Sequence, residues 1–435
     1  MADLFRSILN SMTSKYLGYA AGLCSLMVMA RVFDPGHFGT VASLAVIYTF
    51  FMLIIEGGVS PSFVALKSIT LEMSGAAISV LLLVSAVASM ALYFSIDAVA
   101  SFYDNEKVAL IGSFTCYSLV LSAFNVVPYS ILLREQKFGF IATGVLFSEV
   151  ISTCVVVYLI DIFDPLVSLA MKIPIFILSS AILNSYFCSR TSLGCPTPNC
   201  KFSSLGPIFG MSKFQFGFNF LNYFSRNLDN ILVAKFIGAN GLGVYDQAYR
   251  LIRYPLMLLS GAMTPAIIPS LRKFSEEPKE LERIHWRFSL IILGVAVLCS
   301  AFIQLFASEI VGVILGSKWG MVVPLIQILA VSIPAQVLLA TSGSFFQLTG
   351  KMSLLLRGGV YSFVTIVSAT LIGISYRSLP VLCLMLVAAY SLVFIQTYYL
   401  MYRYIFQQSL FKYAMQFVGI FGFTVVSFYF QRVSL

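Results

Sequence analysis

Five polar residues recur along one apolar stretch at steps of four, three, four and three: Gln215, Asn219, Asn222, Arg226 and Asp229. Between them stand Phe214, Phe216, Phe218, Phe220, Leu221, Phe224, Leu228, Ile231, Leu232 and Val233. At about 100° per residue, the five fall within roughly ±40° of one line down a helix. A charge at the bilayer centre costs at least about 2.5–3.5 kcal/mol on insertion scales, so such residues face a bundle interior or a wet cavity. Residues 214–237 therefore read as a lining helix. The structural alternative is that Arg226 and Asp229, one turn apart, only neutralise each other. It leaves the three amides on the same face without a role. The next helix carries its own stripe: Asp246, Arg250, Arg253, Ser260 and Thr264, at steps of four, three, seven and four. Asp246 can pair with Arg250, which leaves Arg253 in surplus. Arginine offers planar forks for phosphate oxygens, and amides both donate to and accept from hydroxyls. Tyr223, Tyr245, Tyr249 and Tyr254 surround these positions, either to pack on sugar faces or to anchor the helices at the interface. Such a lining suits a phosphate-bearing, hydroxyl-rich ligand. Its binding candidates are Asn219, Asn222, Arg226, Asp229, Arg250 and Arg253.

The first half of the chain holds fewer intramembrane charges. Thr49, Glu56 and Ser60 share a face on the second span. Glu149 lies in the fifth and Lys172 in the sixth, at depths within about 7 Å of each other at 1.5 Å per residue, so the two can pair. Glu56, Asp246, Glu149 and Lys172 are candidates for ion coupling or for structural charge balance. His37 and His285 are the only histidines, and neither belongs to a recognisable acid–base set. No Gly-x-x-x-x-Gly-Lys loop is present, which argues against an ATP-driven pump. Cys188, Cys195 and Cys200 share one loop without a nearby histidine, a weak zinc signal. Neither an enzyme nor a metal or other cofactor is expected.

The elements that carry these residues are membrane spans. Hydrophobic residues make up 59% of the chain, charged residues 10%, and the mean hydropathy is +0.93. A soluble domain carries about 25% charged residues. The composition is that of a polytopic membrane protein. Thirteen stretches are apolar enough to span, at about 20 residues each: 13–33, 40–66, 76–97, 109–133, 139–161, 165–188, 214–237, 242–270, 287–314, 321–348, 353–375, 379–402 and 411–431. With the N-terminus inside, seventeen Lys and Arg fall on inner loops and six on outer ones, as membrane topology requires. That distribution, rather than nucleic-acid binding, accounts for the net charge of +9. No cleavable signal peptide is expected at the start. Residues 189–212, rich in Ser, Gly, Pro and Cys, read as a cytosolic linker between halves. The charged run of residues 271–286 reads as a short solvated helix at the membrane surface. The outer loops are short and leave no room for an external catalytic domain.

A shift of 204 residues lays Ala30-Arg31-Val32-Phe33 on Ala234-Lys235-Phe236-Ile237, Phe38-Gly39 on Leu242-Gly243, and Pro61 on Pro265. Both copies read as apolar helix, basic residue, glycine-containing turn, then a long helix with a late proline. This repeat predicts an all-α membrane protein with two six-helix bundles related by a pseudo-two-fold axis along the membrane normal, a transporter architecture with the substrate site between the halves. The bundles fall at 1–188 and 213–402, with one or two further helices from 403 to 435. Gly18 and Gly22 occupy the first-copy positions of Asn222 and Arg226 and suit close helix packing there, so the polarity is concentrated in the second half.

The stretch from Asn222-Tyr-Phe-Ser-Arg-Asn-Leu-Asp-Asn-Ile through Leu242-Gly-Val-Tyr-Asp-Gln-Ala-Tyr-Arg-Leu, and on to Pro255 and Pro265, resembles the bacterial polysaccharide flippases. These are the Wzx-type O-antigen, capsule and exopolysaccharide transporters of the multidrug/oligosaccharidyl-lipid/polysaccharide exporter superfamily. Ala30, Phe38, Gly39 and Pro61 resemble the opening helices of that family. The resemblance implies twelve core helices around a central cavity and translocation of an undecaprenyl-pyrophosphate-linked oligosaccharide from the inner to the outer leaflet of the bacterial inner membrane. It places Arg226, Asp229, Arg250 and Arg253 in the cavity. It also makes membrane lipid, the polysaccharide polymerase and the chain-length regulator expected partners. A cation-coupled multidrug exporter of the same superfamily is the nearest rival, and an integral-membrane polymerase the rival from another class. Many members have an even span count, so thirteen is a departure from the pattern.

Overall fold

The computed structural model describes residues 2–66, 68–206, 223–224, 226–261, 267, 271–407, 419, 422–423 and 427. Gln215, Asn219, Asn222 and the body of the expected last span, 411–431, lie outside the described residues.

Helices account for nearly all of it: α1 (Ala2–Val32), α2 (Pro35–Glu56), α3 (Val59–Ala65), α4 (Leu71–Phe102), α5 (Lys107–Arg134), α6 (Phe138–Leu159), α7 (Pro165–Ala170) and α8 (Lys172–Cys188). Then come helical residues 226–236 (α9), α10 (Ala239–Gly261), α11 (Pro278–Leu305), α12 (Ala307–Ile314), α13 (Val322–Ala330), α14 (Ile333–Leu348), α15 (Met352–Ser375) and α16 (Leu379–Leu400). A π-helical turn, Met401–Phe406, continues α16. Eight helices, or nine when the α13–α14 pair is taken as one span bent by 54°, are long and apolar enough to cross a membrane among the described residues.

Local chemistry sets several boundaries. Thr70 caps α4 by accepting from the Met73 amide at 3.2 Å. Asp164 does the same for Leu166 at 2.8 Å, with Pro165 at the first helical position. The expected second span, 40–66, breaks between α2 and α3. Gly57 and Gly58 adopt φ of 49° and 84° there, a conformation that favours glycine. The break puts Ser60 on a different helix from Thr49 and Glu56.

The helices are apolar all round because lipid, not water, meets their outer faces. Phe94 is 78% exposed, Leu298 72% and Ile291 69%. Buried faces are built from small and branched residues, with serines satisfied by the carbonyl one turn back, as in Ser118 to Phe114 and Ser130 to Val126.

The contacts divide the chain into two compact units. One runs from Met1 to Gly243 and includes Ile314–Lys318; the other holds Val244–Val313 and Trp319–Leu435. In the first, α4 packs on α5, α5 and α6 on α8, and α1 on α6. Its core contains Ile55, Phe63, Met73, Ala76, Leu81, Leu119, Val127 and Leu205. Arg134, at the end of α5, donates to the Phe63 and Leu66 carbonyls and so holds the end of α3. In the second unit, α15 packs on α16, and α11 on α14.

Two loop readings change. Residues 189–206 are a strap on the first unit rather than a free connector. Lys201 pairs with Glu72, and the Asn199 side chain donates to the Glu72 carbonyl at 2.9 Å. A Cβ on Gly75 would lie 2.1 Å from the Thr197 carbonyl oxygen. Glu135 accepts from the Ser192 hydroxyl at 2.6 Å and from the Ser192 and Leu193 amides. Burial pushes this carboxyl up, but those donors outweigh it and hold Glu135 below the usual carboxylate range. By contacts, the division between the two units falls at Gly243–Val244. The second change concerns residues 271–286, which are not a separate surface helix. After a 3-10 turn, Arg272–Phe274, their charged run becomes the start of α11 itself. Glu282 is buried rather than solvated.

Candidate functional site

The expected lining residues that are described sit on α9 and α10. Arg226 is exposed at the start of α9 and enters no ion pair among the described residues. Asp229, half-buried, accepts from the Asn230 amide at 2.9 Å. On α10, Arg250 Nε donates to Asp246 at 2.9 Å, with side-chain exposures of 47% and 17%. Arg253, one turn on, is exposed and outside every ion pair among the described residues. The net positive character expected for this helix is therefore carried by a fork that no carboxylate among the described residues neutralises. In the first unit, Lys172 meets Glu149 at 2.8 Å, as their depths imply, and both are largely shielded. Glu56 is exposed at the end of α2.

The tyrosines do not all take the expected place. Tyr223 is 7% exposed and donates to the Val46 carbonyl at 2.9 Å, tying the start of the lining stretch to α2. Beside it, Val46, Ile47, Phe50, Tyr103, Phe224 and Ile231 line an apolar cavity of about 200 Å³. Tyr245 is fully buried against Tyr249, whose hydroxyl lies 3.1 Å from that of Tyr390. Tyr223 and Tyr245 are packing residues here, not exposed platforms for a sugar.

A contact absent from the polar pattern organises the other end of these helices. A Cβ placed on Gly39 would lie 1.6 Å from the Ala239 carbonyl oxygen and 2.8 Å from the Gly243 amide. A Cβ on Gly243 would lie 1.9 Å from the Pro35 carbonyl oxygen and 3.0 Å from the Gly39 amide. Pro35 and Ala239, like Gly39 and Gly243, are the two copies of one position in the 204-residue repeat. The contact is therefore reciprocal, each copy meeting the other with the same surface, which is what a two-fold relation at this crossing requires. Two ion pairs flank it: Lys318–Asp34 at 2.8 Å and Lys235–Asp104 at 2.7 Å. The hydrogen bond from Lys318 holds the Asp34 carboxyl below the usual range. His37, one turn into α2, accepts from the Asp34 amide at 3.4 Å and serves the helix start.

The chain matches the model of a family described as polysaccharide biosynthesis protein over residues 28–324. This chain belongs to that family. It is 22% identical over 371 residues to the lipopolysaccharide biosynthesis protein WzxC of Escherichia coli, covering 81% of this chain and 71% of WzxC. Among solved structures it is similar to the lipid II flippase MurJ in an inward closed conformation. The TM-score is 0.71 at 11% identity, covering 98% of this chain and 99% of MurJ. It is also similar to an inward-facing multidrug resistance MATE transporter of the MOP superfamily, with a TM-score of 0.68 at 15% identity, covering 90% and 96%. The fold is that of MurJ and the MATE proteins, and the family is one of membrane transporters in polysaccharide biosynthesis, not of enzymes. The polymerase reading is thereby excluded.

Within this transporter, sequence reasoning missed three features. The glycine crossing was legible only as a repeat, not as a contact. Asn184 donates to Asn125 at 2.8 Å across α8 and α5, a pair with no sequence period to reveal it. Gln247 is fully buried on α10, one turn beyond Gly243, with neither amide atom hydrogen-bonded among the described residues. Among the described residues no group of His, Cys, Asp and Glu is arranged to hold a metal ion.

Proposed function

We propose that this transporter is a flippase that moves an undecaprenyl-pyrophosphate-linked oligosaccharide from the cytoplasmic to the periplasmic leaflet of the bacterial inner membrane, feeding O-antigen, capsule or exopolysaccharide assembly. The observation that carries the reading is Arg253: an exposed guanidinium on α10, the helix read from the sequence as the eighth span, beside a neighbour already paired to Asp246. An uncompensated charge at that depth is costly unless a ligand of opposite charge or water meets it. A pyrophosphate supplies such a charge, and Arg226, Arg250 and Arg253 are its proposed ligands. Asn219, Asn222 and Asp229 are the proposed contacts to glycan hydroxyls. Glu56, Asp246, Glu149 and Lys172 serve charge balance or ion coupling. The lipid tail stays in the bilayer.

The working parts are twelve helices in two bundles, 1–188 and 213–402, with the remainder, 403–435, outside the core. The N-terminus is cytoplasmic. That orientation puts Asp34, Gly39, Lys235, Gly243 and Lys318 at the periplasmic side. Their crossing is then the outer closure, which must part as the site turns outward. The polymerase and the chain-length regulator receive the cargo there. The MATE-like fold is shared with drug exporters, but cationic drugs call for an acidic lining, and the surplus here is arginine.

The test is the sidedness of lipid-linked oligosaccharide in cells depleted of the protein, with wild-type, Arg226→Ala and Arg253→Ala copies restored separately. Accumulation on the cytosolic face, cleared by wild type and at least about tenfold less by each variant, is the expected outcome. Oligosaccharide that reaches the outer face without the protein would sink the reading.

A further inference from the structure

The strap on the first unit begins with a chain reversal that brings two cysteines together. Cys188 is the last residue of α8 and is fully buried. Just past it, the Thr191 amide and hydroxyl donate to the Cys188 carbonyl at 3.0 and 2.6 Å. The Gly194 amide donates to the Thr191 carbonyl at 3.2 Å. Gly194 takes a φ of 78°, in the left-handed region that favours glycine, and turns the chain back. Cys188 Sγ then donates to the Gly194 carbonyl at 3.4 Å. That carbonyl and the Cys195 nitrogen belong to one peptide group, so Cys195 lies beside Cys188. The Cys195 thiol is a hydrogen-bond neighbour of the Cys188 thiol.

The two sulfurs differ in access. Cys195 is exposed, as is Cys200 further along the strap, and both are free cysteines. The exposed member of such a pair meets water and an oxidant first, and its thiolate is the nucleophile. The buried member beside it is placed to resolve the oxidised product. Between them lie Ser192 and Leu193, whose amides, with the Ser192 hydroxyl, seat the strap on Glu135. Hydrogen bonds of this kind open and close in local fluctuations. A covalent bond between residues 188 and 195 brackets the seat and restricts that opening. In the orientation proposed above, the strap faces the cytosol, where disulfides are transient and redox-sensing rather than structural.

We propose that Cys188 and Cys195 are a reversible thiol–disulfide site at which a hydroperoxide fastens the strap to the end of α8. The Cys195 thiolate attacks one oxygen of hydrogen peroxide and the O–O bond breaks. Cys195 becomes a sulfenic acid, and the other oxygen leaves as hydroxide, which takes up the Cys195 proton to give water. The Cys188 sulfur then attacks the Cys195 sulfur and the S–O bond breaks. The disulfide forms, and the hydroxyl leaves with the Cys188 proton as a second water. Two thiols and one peroxide thus give one disulfide and two waters; both sulfurs are oxidised and the peroxide oxygens are reduced. An external thiol reverses the bond by exchange. The site is separate from the arginine-bearing helices and acts on the strap, not on cargo binding.

Trypsin makes the site readable. It cuts after Arg190 and Lys201, which puts Cys188 on one peptide and Cys195 with Cys200 on the next. The full chain in detergent micelles is reduced, treated with rising hydrogen peroxide, alkylated under denaturing conditions and digested without reductant. The expected product joins the two peptides through Cys188 and Cys195, lighter by two hydrogens than their sum. Dithiothreitol should remove it, Cys200→Ser keep it and Cys195→Ser abolish it. Hydrogen exchange at the Ser192 and Leu193 amides should slow at least about tenfold on oxidation of the wild type, and not of Cys195→Ser. Cys195 is exposed, so its replacement spares the packing around Cys188. Cys195 oxidised alone, joined to Cys200 or joined to a second molecule overturns the proposal. So does a Cys188–Cys195 bond that leaves the exchange unchanged, or exchange that slows equally without Cys195. The purified chain reports this chemistry whatever its cargo, so the outcome is independent of the sidedness experiment.

Discussion

At the scale of single residues, the same chemistry takes opposite roles according to what surrounds it. Glu149 and Lys172 are shielded and meet each other at 2.8 Å. Arg253 is exposed and enters no ion pair among the described residues. The first arrangement stabilises the fold, and the second is available to a ligand. Glu149→Gln leaves the Lys172 ammonium without its partner in an apolar setting, at a cost of about 3 kcal/mol, the low end for a buried pair. Replacing both by apolar residues, Glu149→Leu with Lys172→Met, should recover most of that loss. Melting temperatures of Glu149→Leu, Lys172→Met and the double variant, read as a double-mutant cycle, check this. Equal and additive losses would show that the pair is not coupled.

At the scale of elements, the crossing of α2 and α10 is governed by absence of side chain. The Gly39 and Gly243 backbones approach so closely that even a methyl group on either overlaps a carbonyl oxygen of the other helix. Gly39→Ala and Gly243→Ala are each expected to force the crossing apart, at about 1–3 kcal/mol for overpacking. Because the contact is reciprocal, the two variants should resemble each other in both lowered melting temperature and lowered transport. A Gly39→Ala protein with unchanged melting and transport would show that the crossing is not a tight contact. Gly75 shows the same principle at the strap, where a side chain would collide with Thr197 and Asn199.

At the scale of the whole molecule, the crossing is flanked by Lys318–Asp34 and Lys235–Asp104, which tie distant parts of the chain together. The Asp34 carboxyl is held below its ordinary range by the Lys318 hydrogen bond. Its contribution to stability is therefore fully present above the unfolded carboxylate pKa, and is lost as the pH falls through the depressed folded value. At neutral pH the pair should be indifferent to small pH changes. Melting measured from pH 7 down to about pH 3 should show an acid-sensitive component that Asp34→Asn removes, no larger than about 1 kcal/mol for a pair this exposed. A component that survives Asp34→Asn would have to come from other carboxylates.

Much of this was legible in the chain. Lipid forces each span to satisfy its own backbone and to be apolar outside, so composition alone identifies a helical membrane protein, and polar stripes stand out against that background. Depth along a span follows from residue number, and with it the Glu149–Lys172 and Asp246–Arg250 pairs. Lateral neighbours do not follow, because no periodicity encodes which helix a buried face meets. The repeat marked Gly39 and Gly243 as equivalent, but only packing turned equivalence into contact. Tyr223 and Tyr245 read from the sequence either as sugar platforms or as interface anchors, and their burial makes them packing residues. The run from Leu271 to Trp286 reads as solvated because charge usually seeks water, yet helix continuation buries Glu282 and sets His285 among Phe345, Tyr398, Tyr402 and Phe406 of α14, α16 and the π-turn. Solvent character and helix phase are properties of a segment and can be read from it; burial of a polar group belongs to the partners that close over it, and only the tertiary structure supplies them.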